Sequence, residues 1–261
     1  MTTEELQAAQ KPNSPRFRII AILIVLGLWQ TVAALTSANH RRAPGPLDIA
    51  QAWVAMLRSG DLGADFAWSA SRVAIGYSAA CMVGVVLGLL TARVRIADLT
   101  VGTYLQTLRS FPAIALVPVS IVLFGLTESG KYFLIFWASL FPVWINTHLG
   151  VRRFKRQFIW AAASLGANKI QILTRVILPG TIGSVIAGMR TSIATAFIAL
   201  VAAEASGASG GLGFRLLFSQ AVYQNDSMFA ALATLGAAGA LSDALFAQIL
   251  KIWIPWSADA E

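Results

Sequence analysis

Apolar and polar residues along this chain fall into long blocks rather than into a strand-like alternation. Six apolar stretches stand out, each near the roughly 20 residues an α-helix needs to cross a bilayer. They run over 17–35, 68–92, within 99–126, 132–150, 182–203 and 228–250. Pro112 and Pro118 interrupt the third stretch, which predicts a kinked or broken span. Backbone groups freed by such a break survive at membrane depth only against protein or a water-filled cavity, so this span is a candidate for lining a path. Gly84-x-x-x-Gly88 in the second stretch either admits a close helix neighbour or belongs to an ordinary glycine-rich span. Between the first two stretches, Pro44 and Pro46 mark a turn. Residues 47–57 then carry a weakly amphipathic helical pattern, expected to lie in the membrane interface with Trp53 as anchor. The glycine-rich segment GASGGLG at 207–213 reads as a flexible turn.

Composition agrees with the blocks. Of 261 residues, 57% are hydrophobic and 12% charged, and the mean hydropathy is +0.68. Soluble domains carry roughly 25% charged residues, so a soluble protein, a disordered chain and a large extramembrane catalytic domain are all excluded. The fold class expected is all-α: a polytopic membrane protein with six transmembrane helices. The first stretch is longer than a leader core and has no small-x-small cleavage pattern, so it is read as a retained span. The single cysteine, Cys81, permits no intrachain disulfide and no thiolate metal cluster.

The net charge of +8 would suggest nucleic acid on a soluble chain. Here the cations sit between apolar runs, as membrane loops facing anionic lipid require, so no nucleic-acid partner is expected. With the N-terminus inside, one side holds Lys11, Arg16, Arg18, Arg93, Arg95, Arg152, Arg153, Lys155, Arg156, Lys169, Arg175 and Lys251. The other holds only Arg41, Arg42, Arg58, Arg72, Lys131 and Arg215. The positive side is cytoplasmic, which puts both termini and the 152–175 segment in the cytoplasm.

Candidate chemistry is sparse. Gly125-x-x-x-x-Gly130-Lys131-Tyr132 nearly spells a phosphate loop but has tyrosine where a hydroxyl must reach Mg²⁺, and it lies between two spans. His40 and His148 have no paired acid or metal-ligand spacing around them. Ionisable residues in or near spans are functional-site hypotheses by default. They are Arg72, Arg109, Arg190, Glu204 and Asp243, which either snorkel, pair with one another, or line a path. Arg190 and Asp243 lie deepest and fit an internal pair or a polar interior. The segment Trp160-Ala-Ala-Ala-Ser-Leu-Gly166-Ala167, followed by IQILTRVIL up to Pro179, predicts a helix–glycine–helix hairpin with a small-residue tip. A linker would be richer in Gly, Ser and Pro. A rigid hairpin joined directly to two spans suits insertion into a partner's cleft. Two rival readings are a carrier driven by an ion gradient and a membrane-embedded enzyme. The first lacks an internal repeat, with only Asp243 as an ion-coupling group. The second lacks an acid–base or metal constellation.

The hairpin residues resemble the cytoplasmic signature of permease subunits of binding-protein-dependent ABC importers: Glu-Ala-Ala, three residues, Gly, nine residues, Ile, one residue, Leu-Pro. This chain has Trp160-Ala161-Ala162, Gly166, and Val176-Ile177-Leu178-Pro179 at matching spacing. Trp160 stands in place of the usual Glu, and Val176 in place of Ile. The resemblance extends over about residues 65–256. It is similar to the nitrate, sulfonate, taurine and bicarbonate branch through SRVAIGY at 71–77, LRSFPAIALVPVSIVLFGLTESGK at 108–131, FPVWINTHLGVR at 141–152, LVAAEASGASGGLGF at 200–214, Asp243 and Pro255-Trp256. It implies a type I importer permease fold. Residues 1–16 would be a cytoplasmic tail, 17–64 the first span and outer loop, and 65–256 the transmembrane domain with a coupling hairpin at 152–179. It implies no cofactor in this chain, with ATP and Mg²⁺ on a partner ATPase that grips the hairpin through Trp160, Ala161, Ala162, Gly166, Leu178 and Pro179. Further partners implied are a periplasmic or lipid-anchored substrate-binding protein and a second permease copy, as a homodimer. Arg109, Pro112, Arg190, Glu204 and Asp243 are the candidates for the translocation path, and a small anion is the expected substrate.

Overall fold

A computed structural model describes residues 15–36 and 44–253. The early tail, the loop around His40, Arg41 and Arg42, and Pro255-Trp256 lie outside the described residues. The structure is all-helical. In chain order the helices are α1 (Pro15–Thr36), α2 (Pro46–Arg58), α3 (Asp61–Arg93), α4 (Arg95–Leu108), α5 (Ala113–Phe124), α6 (Glu128–Arg153), α7 (Arg156–Ser164), α8 (Lys169–Ala205), α9 (Leu212–Ala221) and α10 (Asn225–Trp253). Among the described residues, α3, α6, α8 and α10 are each long and apolar enough to cross a membrane. The pair α4 and α5, bent by 91°, makes a fifth candidate span, and α1 contributes the apolar segment Leu23–Leu35.

The bend falls at Pro112, whereas Pro118 sits within α5, in the first turn of its α-helical part, and does not interrupt it. The chain leaves helix after Leu108 and resumes at Ala113, with Pro112 extended at φ −66°, ψ 138°. The Phe111 carbonyl freed there accepts a hydrogen bond from Trp137 Nε1 at 3.3 Å, so protein replaces the missing helical partner.

The centre of the bundle is α6, held between α3 and α8. Its seam with α3 is a parallel one. Gly76, Ala80, Gly84 and Gly88 recur every four residues on one face of α3 and meet Ile135, Val143 and Thr147 of α6. A methyl group at Gly76 would sit 2.8 Å from Ile135 Cβ, and one at Gly84 2.9 Å from Val143 Cβ. The Gly84-x-x-x-Gly88 pair thus serves close backbone approach, the first of its two readings. On its other side α6 runs antiparallel to α8. The Ser192 hydroxyl donates to the Ser139 carbonyl at 2.7 Å, and Gly188 lies against Asn146 and the Pro142 carbonyl.

Three elements add to what the pattern showed. Helix α2 forms, and one side of it packs on protein. Met56, Ile49 and Ala52 join Leu62, Leu212, Ala230 and Ala238, and Trp53 Nε1 donates to Thr234 Oγ1 at 3.0 Å. The neighbouring helix offers both an apolar face and an acceptor for the indole, while Leu47, Val54 and Leu57 stay exposed. Second, the hairpin's C-terminal arm does not stop at Pro179. It continues as one helix, α8, of 37 residues. A π-helical turn over Leu173–Ile177 widens the backbone just ahead of the proline, which relieves the ring's clash with the preceding turn. Third, the 207–213 loop is no flexible turn. It is clamped by buried side chains described next.

Candidate functional site

A cavity of about 840 Å³ opens where α4 breaks from α5 and is walled by α6 and α8. Its polar lining is Arg109 and Ser110 from the break, Asn146 from α6, and Thr191 and Thr195 from α8. The rest is apolar, with Phe111, Pro112, Trp137, Phe141 and Ile198 among it. No acidic residue lines it among the described residues. A predominantly apolar, concave site with few convergent polar groups and one fixed cation suits a small anionic solute.

Of the sequence candidates for a path, Arg109 and Pro112 line this cavity; Arg190, Glu204 and Asp243 do not. Arg190 of α8 instead makes a two-pronged ion pair with Asp243 of α10: Nε donates to Oδ1 and Nη2 to Oδ2, both at 3.1 Å. Their side chains remain 42% and 41% exposed.

Glu204 has another task. It ends α8 fully buried, at the end of the bundle opposite the hairpin. Its Oε1 accepts from Arg72 Nη1 at 2.9 Å and from Ser69 Oγ at 2.7 Å. Its Oε2 accepts from the backbone N–H groups of Gly213 at 2.6 Å and Phe214 at 3.2 Å. Arg72, 1% exposed, spends its other donors on both Glu128 oxygens, at 2.7 and 2.9 Å, and on the Gly210 carbonyl at 2.6 Å. Its guanidinium also lies over the Trp68 ring at 5.4 Å. Asp65 accepts from Gly211 N–H at 2.8 Å and from Arg215 Nε at 2.7 Å, and Leu212 N–H donates to Ser69 Oγ at 2.8 Å. Every amide of the loop and first turn of α9 from Gly211 to Phe214 is therefore taken by a side chain from α3 or α8. Gly211, at φ +128°, admits the Glu204 carboxylate where a Cβ would collide with it.

Sequence reasoning picked out Arg72 and Glu204 but missed Asp65, Ser69 and Glu128. A signal was present: Asp65, Ser69 and Arg72 fall at helical spacing on one face of α3, a polar stripe at the head of an apolar run. Lys131 of the rejected phosphate-loop pattern is buried against Glu128 at 3.1 Å.

At the hairpin end, α7 turns through Gly166, at φ +82°, into the capping box of Asn168 and Gln171 that starts α8. Ile159, Ala162 and Ala167 face inward onto Val151, Ile172 and Ile177. Ala161, Gly166 and Pro179 are exposed, Leu178 is half-buried, and Trp160 and Leu165 project at 66% and 88% exposure. The hairpin is thus braced on the bundle by one face and offers an apolar tip with the other.

Residues 84–253 match the family of binding-protein-dependent transport system inner membrane components. A probable ABC transporter permease of Brucella melitensis biotype 1 is 33% identical over 227 residues, covering 87% of this chain and 91% of its own. The putative aliphatic sulfonates transport permease SsuC of Escherichia coli K12 is 30% identical over 233 residues, 89% of each chain. The nitrate import permease NrtB of Synechococcus elongatus is 29% identical over 206 residues, 75% of this chain and 73% of its own. In fold, the chain is similar to a chain of the MetNI methionine ABC transporter in an inward-facing conformation, with TM-score 0.59 and 19% identity over 70% of this chain and 92% of that one. The chain is a multi-pass inner membrane protein and belongs to the binding-protein-dependent ABC importer permeases, which do not themselves hydrolyse ATP.

Proposed function

We propose that this permease forms the translocation path for a small anion of the sulfonate or nitrate type. The observation that carries the reading is the Arg109 cavity, which has a cation and hydroxyl groups in its wall and no described acid. Aliphatic sulfonates and nitrate, for which two of the relatives are named, are both oxyanions that a guanidinium binds through parallel hydrogen bonds. Six spans fit the reading, with α1 as the first and the α4–α5 pair as the third. Both termini and the hairpin then face the cytoplasm, and residues 65–256 form the transmembrane domain.

In this reading the permease pairs with a second copy of itself, and a substrate-binding protein delivers the anion to the loop end. An ATPase holding ATP and Mg²⁺ grips the hairpin from Trp160 to Gly166. Closure of the ATPase pair pushes the hairpin, and the continuous α8, running from the hairpin through Leu178 and Pro179 to Glu204, carries that push to the far end of the bundle. Trp160 gives the grip an apolar anchor in place of a carboxylate.

Purification in mild detergent tests the partners. An ATPase subunit that copurifies, with ATP-dependent uptake of ethanesulfonate or nitrate in reconstituted vesicles, is the expected result. Uptake that continues without ATP and collapses with the proton gradient would overturn the reading. Gly166→Pro forces φ to about −65° where the turn requires +82°. ATP hydrolysis in this variant should persist while uptake stops; normal coupling would remove the hairpin from the mechanism.

A further inference from the structure

The cavity that holds Arg109 takes its walls from α4 to α6, from α8, and at one point from beyond the spans: Leu217 of α9. Depth along the bundle shows where each wall lies. On α6 the lining begins at Trp137, nine residues and about 13 Å below the loop end at Glu128. Trp137 is bonded to the Phe111 carbonyl, so the break that carries Arg109 and Ser110 lies near that depth. Helix α9 stands at the other extreme. Its Arg215 reaches Asp65 at 2.7 Å and Asp61 at 3.6 Å, in the first turns of α3. Asp65 is seven residues, about 10 Å, outward of Arg72, which meets Glu128 at the start of α6. Leu217 is therefore the outermost part of the cavity wall.

It is also a fixed part. Leu217 follows Arg215 by two residues, about 200° around the helix, so α9 holds α3 with one face and presents the other to the cavity. The amides of Gly211, Leu212, Gly213 and Phe214 are taken by Asp65, Ser69 and Glu204, which leaves α9 no slack on its leading loop. The helix can move only as the outer ends of α3 and α8 move. We propose that Leu217 is the plug that closes the outer end of the Arg109 cavity, and that the clamp holds it there until α8 shifts. This rests on reading that cavity as the translocation path.

The barrier is steric and apolar. An anion moving outward from Arg109 meets the Leu217 side chain among Ile198, Val201, Ala202 and Ala205, where no side chain donates a hydrogen bond to replace its water. Hydrophobic constrictions of this kind bar ions by dewetting. A plug on a slack loop would leak. One bonded to two spans through its own backbone opens only with them, so access from outside is tied to the push that α8 carries from the hairpin.

Accessibility from outside tests the proposal, on the assembled transporter in right-side-out membrane vesicles. Cys81→Ser removes the native thiol, and Ser110→Cys places a reporter below the plug. The probe is sulfonatoethyl methanethiosulfonate, which does not cross the membrane and is added outside. Without ATP the reporter should stay unlabelled, and during ATP-driven uptake it should react. Leu217→Ala should abolish that distinction: the reporter is labelled without ATP, and vesicles preloaded with nitrate lose it passively. Leu217→Met, a volume-conserving change, should keep the reporter closed. Leu217→Cys, modified only after assembly, covers the case in which truncation spoils folding, and the sulfonate added at the plug should stop uptake. A reporter that is open without ATP while Leu217 is intact, or uptake indifferent to the modified Leu217→Cys, would overturn the plug. A reporter that reacts during uptake but stays closed without ATP in Leu217→Ala also overturns it, and leaves the cavity standing as the path. A reporter that never reacts, even during uptake, defeats the reading of the cavity itself.

Discussion

Two of the charged residues on helix α8, Glu204 and Arg190, have surroundings that differ sharply. Glu204, at its end, is enclosed: both oxygens are saturated by Arg72, Ser69 and two backbone N–H groups. Arg190, about 21 Å away along the axis, pairs with Asp243 while both side chains stay 42% and 41% exposed. The clamp immobilises three helix ends and a loop, because a buried charge left without its partners has nowhere to go. The Arg190–Asp243 pair joins α8 to α10 with both side chains only partly enclosed, so removing one partner strands the other less severely. The same ion-pair chemistry thus carries a different cost of disruption in each place, and burial decides which is larger.

Substitutions can break that contrast. The largest effect is expected from Arg72→Ala, which strands Glu204 and Glu128; it should cost about 3–5 kcal/mol and appear as a collapse of the melting temperature of the purified complex. An unchanged melt would mean the clamp is not what holds the loop. Gly211→Ala comes next. It places a methyl group on the Glu204 carboxylate at a positive φ and should cost about 1–3 kcal/mol in the same measurement. Arg190→Ala should be smallest in stability, within about 1 kcal/mol, as for an exposed pair. Its uptake should nevertheless fall while the subunits still copurify. Wild-type uptake in Arg190→Ala would erase the functional half of the comparison, and a large loss of stability would erase the structural half.

The spans were legible because roughly 20-residue apolar runs have few alternatives, and the break at Pro112 because proline removes a donor and clashes. The hairpin was legible as an alanine-rich helix former stopped by Gly166. The clamp was not, because Arg72 and its partners Glu128 and Glu204 are 56 and 132 residues apart in the chain. Glycines at 207–213 advertise freedom, and nothing local reveals the carboxylates that remove it. The passage of α8 through Pro179 was hidden for a related reason. A proline normally ends or starts a helix, and the π-helical turn that accommodates it leaves no clear mark in composition. For the candidate path, sequence supplied a set of ionisable residues but not their sorting. Only the fold separates Arg109, which lines the cavity, from Glu204, which braces the loop.

The clamp also imposes an order on biogenesis. Arg72 emerges from the ribosome 132 residues before Glu204. At a synthesis rate of about 5–20 residues per second, the nascent chain must shelter that guanidinium for roughly ten seconds, with Glu128 arriving as an interim companion. A polypeptide that terminates before α8 is finished keeps the Glu128 half of the clamp but lacks the Glu204 half, and so carries its own mark of incompleteness.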